Sequence, residues 1–282
     1  MTALPSIDMP AALSAGGPVP CRSEGGRSEA GWPDLARALD SLGETGRRVG
    51  FWLRDDDAVA PTPALDRLLG IAADLPLALA VIPARATAEL ADRLPPDCAV
   101  LQHGLAHADH APPGEKKAEY GPHRPLAAMT AELAAGRSLL QDLFGRRALP
   151  VLVPPWNRIA DTVAAALPGL GFGGLSTFGC RTAGVPALVQ VNTHVDPIDW
   201  RGSRGFAGET AVLGRVVDAL RHHLADEFRE GAARGPIGLL THHLVMDGPG
   251  WAFLDRFLTE TRRHPAVRWQ AADELFVAGA SR

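Results

Sequence analysis

The chain has 282 residues, 46% of them hydrophobic, which suits one α/β barrel or two ordinary domains with ample apolar material for a large core. A formal charge of -4, with 6% aromatic residues and a single Tyr, gives neither an electrostatic nor a stacking case for nucleic acid. Three unpaired-looking cysteines (Cys21, Cys98, Cys180) argue against a disulfide framework, and the absence of a run of about 18 apolar residues argues against membrane insertion.

Residues Met1 to Gly31 are rich in Pro, Gly, Ser and Ala and show no periodicity, so residues 1–31 read as a disordered or loosely attached leader. They lack a basic region followed by an apolar stretch, so a cytoplasmic location is expected. A helix follows, with Asp34 in its first turn and Leu35, Leu39 and Leu42 on one face. From Val49 an apolar run carries Phe51, Trp52 and Leu53 and stops at Asp55, Asp56 and Asp57. It reads as a buried strand emerging at one rim of a sheet.

Thereafter helices and strands alternate. Helices are expected over Leu65 to Ala73, Thr87 to Leu94, Leu126 to Phe144, Ile159 to Leu167, Glu209 to Glu230, Trp251 to Thr261 and Asp273 to Val277. Strands are expected over Leu77 to Ile82, Cys98 to Leu101, Val151 to Val153, Phe172 to Ser176, Leu188 to Val191, Ile237 to Thr241 and Val267 to Trp269. Apolar strands interleaved with helices imply a parallel sheet covered by helices. About seven or eight such units in roughly 250 residues favour a closed barrel over an open sheet, so residues 32–282 are expected to form a single-domain (β/α) barrel.

In a parallel barrel the strand C-termini share one rim, where chemistry collects. Five expected strand ends deliver polar residues there: Asp55-Asp56-Asp57, His103 with His107, Trp156-Asn157-Arg158, His194 with Asp196, Asp199 and Trp200, and His242-His243. Three adjacent carboxylates repel one another unless a divalent metal or an Arg offsets them; the plainer reading is a solvated acidic turn. Period-2 alternation sends Asp55 and Asp57 to one face and Asp56 to the other. His103 and His107 are four apart, which on a helical turn sets both imidazoles on one side. With one carboxylate they would form a ligand set that leaves positions open for water and substrate.

These segments, in this order, resemble the motifs of the polysaccharide deacetylases, the NodB-homology or carbohydrate esterase family 4 group. The Thr-Phe-Asp-Asp-Gly motif is similar to Leu53-Arg54-Asp55-Asp56-Asp57, and His-x-x-x-His to His103 through His107, with Gly104 after the first His. Arg-x-Pro-Tyr is similar to Val153-Pro154-Pro155-Trp156, Asp-x-x-Asp-Trp to Asp196 through Trp200, and Leu-x-His to Leu240-Thr241-His242. The resemblance implies an irregular (β/α)7-type barrel and a metal-dependent hydrolase of N-acetyl or other N-acyl groups on an acetamido sugar or small glycan. It implies Asp56, His103 and His107 as metal ligands, with zinc expected first and cobalt, nickel, manganese or iron as alternatives. By the same resemblance, Asp55 would be the general base and His242 the general acid, Asp196 and Asp199 would orient that His, and Trp156, Asn157 and Trp200 would meet the substrate.

The chain departs from the family pattern at three positions. Val153 stands where the family carries the Arg that steadies the base, with Arg54 or Arg158 as candidate substitutes. Asp57 stands in place of a Gly, which leaves a second register open, with Asp57 as ligand and Asp56 as base. His243 follows His242, so either could be the acid. The other readings are a metal-dependent ester or amide hydrolase on a non-carbohydrate substrate, and a carbohydrate-binding relative without turnover. The expected partner is a small-molecule or oligosaccharide substrate, with oligomeric state left open.

Overall fold

The computed structural model describes residues 29–179, 185, 187–225 and 235–277. Most of the expected leader, Cys21, Cys180 and the end of the helix expected to reach Glu230 lie outside the described residues. The chain opens on α1 (Trp32–Glu44), where the Asp34 carboxylate accepts the Gly31 N–H at 2.8 Å and closes the first turn. It continues through β1 (Val49–Ala58), α2 (Pro63–Ile71), β2 (Leu77–Val81), α3 (Ala88–Arg93), β3 (Ala99–His103), α4 (Leu126–Phe144) and β4 (Ala148–Val153). The second half comprises α5 (Asp161–Ala166), β5 (Gly174–Leu175), β6 (Val189–Gln190), α6 (Glu209–Ala225), β7 (Ile237–Thr241), α7 (Gly248–Arg263), β8 (Val267–Trp269) and α8 (Ala272–Val277).

The sheet is parallel and curls in the order β6-β5-β4-β3-β2-β1-β7, with β8 added beside the first residues of β1. Strand alternation separates two apolar layers. Trp52, Ala78, Ala80, Leu101, Val151, Val153 and Val191 fill the inside of the curl. Phe51, Leu53, Leu79, Val81 and Leu239 face outward onto a helix layer that includes Leu65, Leu68, Leu213, Leu254 and Phe257.

The barrel expectation holds in the form of a half-barrel, because β5 and β6 shrink to two residues each. The chain beyond β6 spans the remaining side irregularly. His194 N–H donates to the Gly238 carbonyl at 2.7 Å, Leu240 N–H donates to the Val195 carbonyl at 2.8 Å, and Val195 bridges Leu239 in parallel. Gly238 permits this approach: a Cβ there would lie 2.4 Å from Trp52 Nε1 and 2.6 Å from the Asn192 carbonyl oxygen. Trp52 is wholly buried and donates its Nε1–H to that same carbonyl at 3.1 Å, so it packs the barrel and does not line a pocket. Among the described residues no helix is long and apolar enough to cross a membrane.

Candidate metal centre

β1 reaches the rim with its alternation broken. The β1–β2 register shifts between Asp55 and Ala58, and Asp57 takes φ 72°, a left-handed conformation that Asp tolerates better than most residues. The bulge turns the Asp57 carboxylate away from the face of Asp55 and brings it to the histidines. Asp57 Oδ1 lies 3.1 Å from His103 Nε2 and 3.3 Å from His107 Nε2. One ligand atom from each residue falls within 4.8 Å of the other two. The carboxylate grouped with the histidines is therefore Asp57, in place of the Asp56 expected from the first motif register.

The donor set fits a divalent cation. Asp57 Oδ1 is buried with no hydrogen-bond partner among the described residues. His103 Nδ1 lies 2.9 Å from the Val153 carbonyl oxygen, which can only accept, so Nδ1 carries the proton and Nε2 presents a lone pair. Burial pulls the Asp57 carboxyl upward, but His103, His107 and His242 outweigh it and hold the group well below the usual carboxylate range. For His103, burial lowers the imidazole and the Asp57 and Asp56 carboxylates raise it, with a net rise. His107 goes down, through burial and the neighbouring His103.

The two histidines meet without the helical turn expected from their spacing. His103 ends β3, Gly104 follows at φ 62° and His107 sits at φ 57°. This turn wraps around the buried Glu119 carboxylate, which accepts the Ala106 N–H at 2.8 Å and those of Leu105 and Ala108 at 3.3 and 3.4 Å. A Cβ on Gly104 would stand 1.9 Å from Glu119 Oε2 and 2.7 Å from Pro155 Cγ. Gln102 adds a bond from its side-chain N–H to the Gly104 carbonyl at 3.1 Å. Sequence reading missed Glu119, since a lone Glu in a polar loop carries no local signal.

Asp56 points into the half-barrel toward Arg54, two residues earlier on the same strand face. The wholly buried guanidinium donates from Nε to Asp56 Oδ1 at 2.8 Å and from Nη2 to Oδ2 at 3.0 Å. It also donates to Ser176 Oγ at 2.6 Å and to Asn157 Oδ1 at 3.1 Å. Arg54, not position 153, thus supplies the guanidinium that pairs with this aspartate. Arg158, the other candidate, donates instead to the Lys117 carbonyl on an outer loop.

Asp55, expected as the base, lies on the opposite, helix-facing side of β1, buried against Thr241 and His243. His242 lies with its Nδ1 4.0 Å from Asp196 Oδ2 and its ring roughly perpendicular to Trp200 at 4.7 Å, near enough to Asp57 to act on its carboxyl. Asp196 accepts the Ile198 N–H and the Trp200 indole N–H; burial raises its carboxyl pKa, against the lowering pull of His242. Asp199 does not reach His242, because its carboxylate accepts the Gly202 and Ser203 N–H groups and builds its own loop. Trp156 and Asn157 take consecutive left-handed conformations, φ 54° and 57°, after Pro154-Pro155. Such backbone commonly marks a working site. The Trp156 ring packs on His107 at 4.4 Å.

No family model matches the sequence, and no curated protein matches it. Solved structures do match. A "putative polysaccharide deacetylase" from Mycobacterium smegmatis aligns over 90% of this chain and 93% of its own, with 16% identity and a TM-score of 0.61. A mutant of BA3943, a family 4 carbohydrate esterase pseudoenzyme with restored enzymatic activity, aligns over 82% of this chain and 68% of its own (13% identity, TM-score 0.54). The T48 deacetylase with substrate aligns over 82% and 92%, at 14% identity and a TM-score of 0.50. The curled parallel sheet and its irregular closure therefore give this chain the fold of the carbohydrate esterase family 4 polysaccharide deacetylases.

Proposed function

We propose that this chain is a metal-dependent hydrolase that removes an N-acetyl or other N-acyl group from an acetamido sugar or related small glycan. The observation that carries this reading is the convergence of Asp57, His103 and His107 at the rim of a deacetylase-type fold. Asp57, His103 and His107 would hold the ion, zinc first among the divalent candidates. A divalent cation held there polarises a carbonyl and lowers the pKa of water, the two things an inert amide needs.

Asp56 is the general base. It takes the proton of the attacking water while the fork of Arg54 fixes its two oxygens. The hydroxide so formed adds to the acyl carbon, with the Trp156 N–H as a donor to the developing oxyanion. His242, beside Asp196 and Trp200, gives its proton to the departing amine as the C–N bond breaks. The products are the free amine and the carboxylate of the acyl group.

Against the reading as a binder without turnover, the Arg54–Asp56 pair supports a base held in place despite Val153. Release of acetate from a panel of N-acetylated sugars by zinc-loaded protein tests the function. Asp56→Asn should lower kcat by about 10²- to 10⁴-fold with zinc still bound. Full turnover by Asp56→Asn, or by a His103→Ala variant, would falsify the assignment.

A further inference from the structure

The proposed reaction makes no use of Asp55 or His243, yet both are ionisable and buried, at 0% and 1% side-chain exposure. They sit between the sheet and its helix layer, among residues such as Leu53, Leu239 and Val81, where a charge pair is costly and apolar packing would be the default. Asp55 accepts three hydrogen bonds from the end of β7: the Thr241 hydroxyl at 2.7 Å, the His243 backbone N–H at 2.9 Å and the His243 Nδ1–H. The residue enclosed by those bonds is His242. On β1 the residue after Asp55 is Asp56, and the next is Asp57.

We infer that Asp55, Thr241 and His243 form a positioning clamp that fixes where His242 points relative to Asp56 and the metal-ligand cluster. Each anchor of the clamp is adjacent in the chain to a residue with a part in the reaction. β1 and β7 are paired through Asp55↔Thr241 at their last ladder position, and beyond it the backbone has no further strand partner between these two segments. The clamp extends the pairing past that point by side chain. It holds the His242–His243 peptide to β1, which leaves the His242 ring against Trp200 and Asp196.

This inference rests on the proposed hydrolase, and its test separates the two. In zinc-loaded protein, Asp55→Asn and Thr241→Val are compared on an N-acetyl sugar, whose amine must be protonated to leave, and on an aryl acetate, whose phenolate leaves without help. Displacing the acid should lower kcat on the amide by about 10- to 100-fold, with KM and zinc content held. The aryl ester should change by less than about threefold, because it does not need the acid. Thr241→Ser, which keeps the hydroxyl, should restore the amide rate. Parallel loss on both substrates, or no loss, overturns the clamp.

A wild-type protein inactive on every acyl substrate would overturn the hydrolase alone. The clamp is then decided by NMR: His242 ring protons carry a ring-current shift from Trp200 that Asp55→Asn and Thr241→Val should abolish and Thr241→Ser should keep. An unchanged shift in the first two variants overturns it.

Discussion

At the scale of single residues, one backbone angle decides which of three aspartates joins the histidines. Regular alternation would pair Asp55 with Asp57 and leave Asp56 opposite. Alternation holds through Asp55, on the helix layer, and Asp56, beside Arg54; the left-handed φ at Asp57 then turns that carboxylate from the face of Asp55 to the histidines. Arg54 is then central, since a buried carboxylate without its partner is strongly destabilising, by about 3–5 kcal/mol. Arg54→Ala should therefore lower the melting temperature by about 6–20 °C at the usual sensitivity for a chain of this size. Arg54→Met with Asp56→Leu should recover most of that loss in calorimetry while leaving the protein without turnover. A single Arg54→Ala that melts like wild type would show that the pair is not the anchor the geometry makes it. The Arg54–Asp56 partnership was readable in the sequence, since residues two apart share a strand face. The bulge was not, because nothing in three consecutive aspartates says which one leaves the ladder.

At the scale of elements, long helices and fully buried strands were legible because their periodicity and bounding Gly and Pro residues are local. α4 matches its expected span, and β1, β2 and β7 lie within a residue or so of theirs. The two-residue β5 and β6 were expected longer: an apolar run such as Leu188 to Val191 is set by burial, while ladder length depends on partners elsewhere in the chain. The His103–His107 turn shows the same limit. Its shape comes from Glu119, whose carboxylate takes three backbone N–H groups across the loop. Outer groups that orient metal ligands typically contribute 10- to 100-fold in affinity, so Glu119→Ala should weaken zinc binding by about that factor. Titration of zinc against a competing chelator measures it. Affinity equal to wild type would mean that the turn holds its shape without the carboxylate.

Over the whole molecule, strand order and the shared rim explain why residues 57, 103 and 107 meet: β1, β2 and β3 are consecutive neighbours, and their C-terminal ends point the same way. The far wall, from His194 to His242, is supplied by irregular chain and β7, so the half-barrel brings His242 and Asp196 to the same rim as Asp57, His103 and His107. This arrangement should make the stabilisation by a bound metal depend on pH. In the metal-free protein the Asp57 carboxyl is lowered from 3.8, so its contribution is present above that value and is lost as pH falls through the folded value. His103 and His243 are raised from 6.5, so their contributions are complete below 6.5 and are lost as pH rises through the folded values. Metal binding requires His103 Nε2 without its proton, so raising pH removes the competitor just as the metal-free pairs weaken. At a fixed zinc excess, the melting-temperature gap between loaded and metal-free protein should widen from about pH 5.5 to 7.5, since a ligand at 100 times its Kd stabilises by about 2.7 kcal/mol. A thermal-shift series across that range measures the gap. His103→Ala should remove it at every pH, and a wild-type gap that stays flat would mean that protons and metal do not compete for this imidazole.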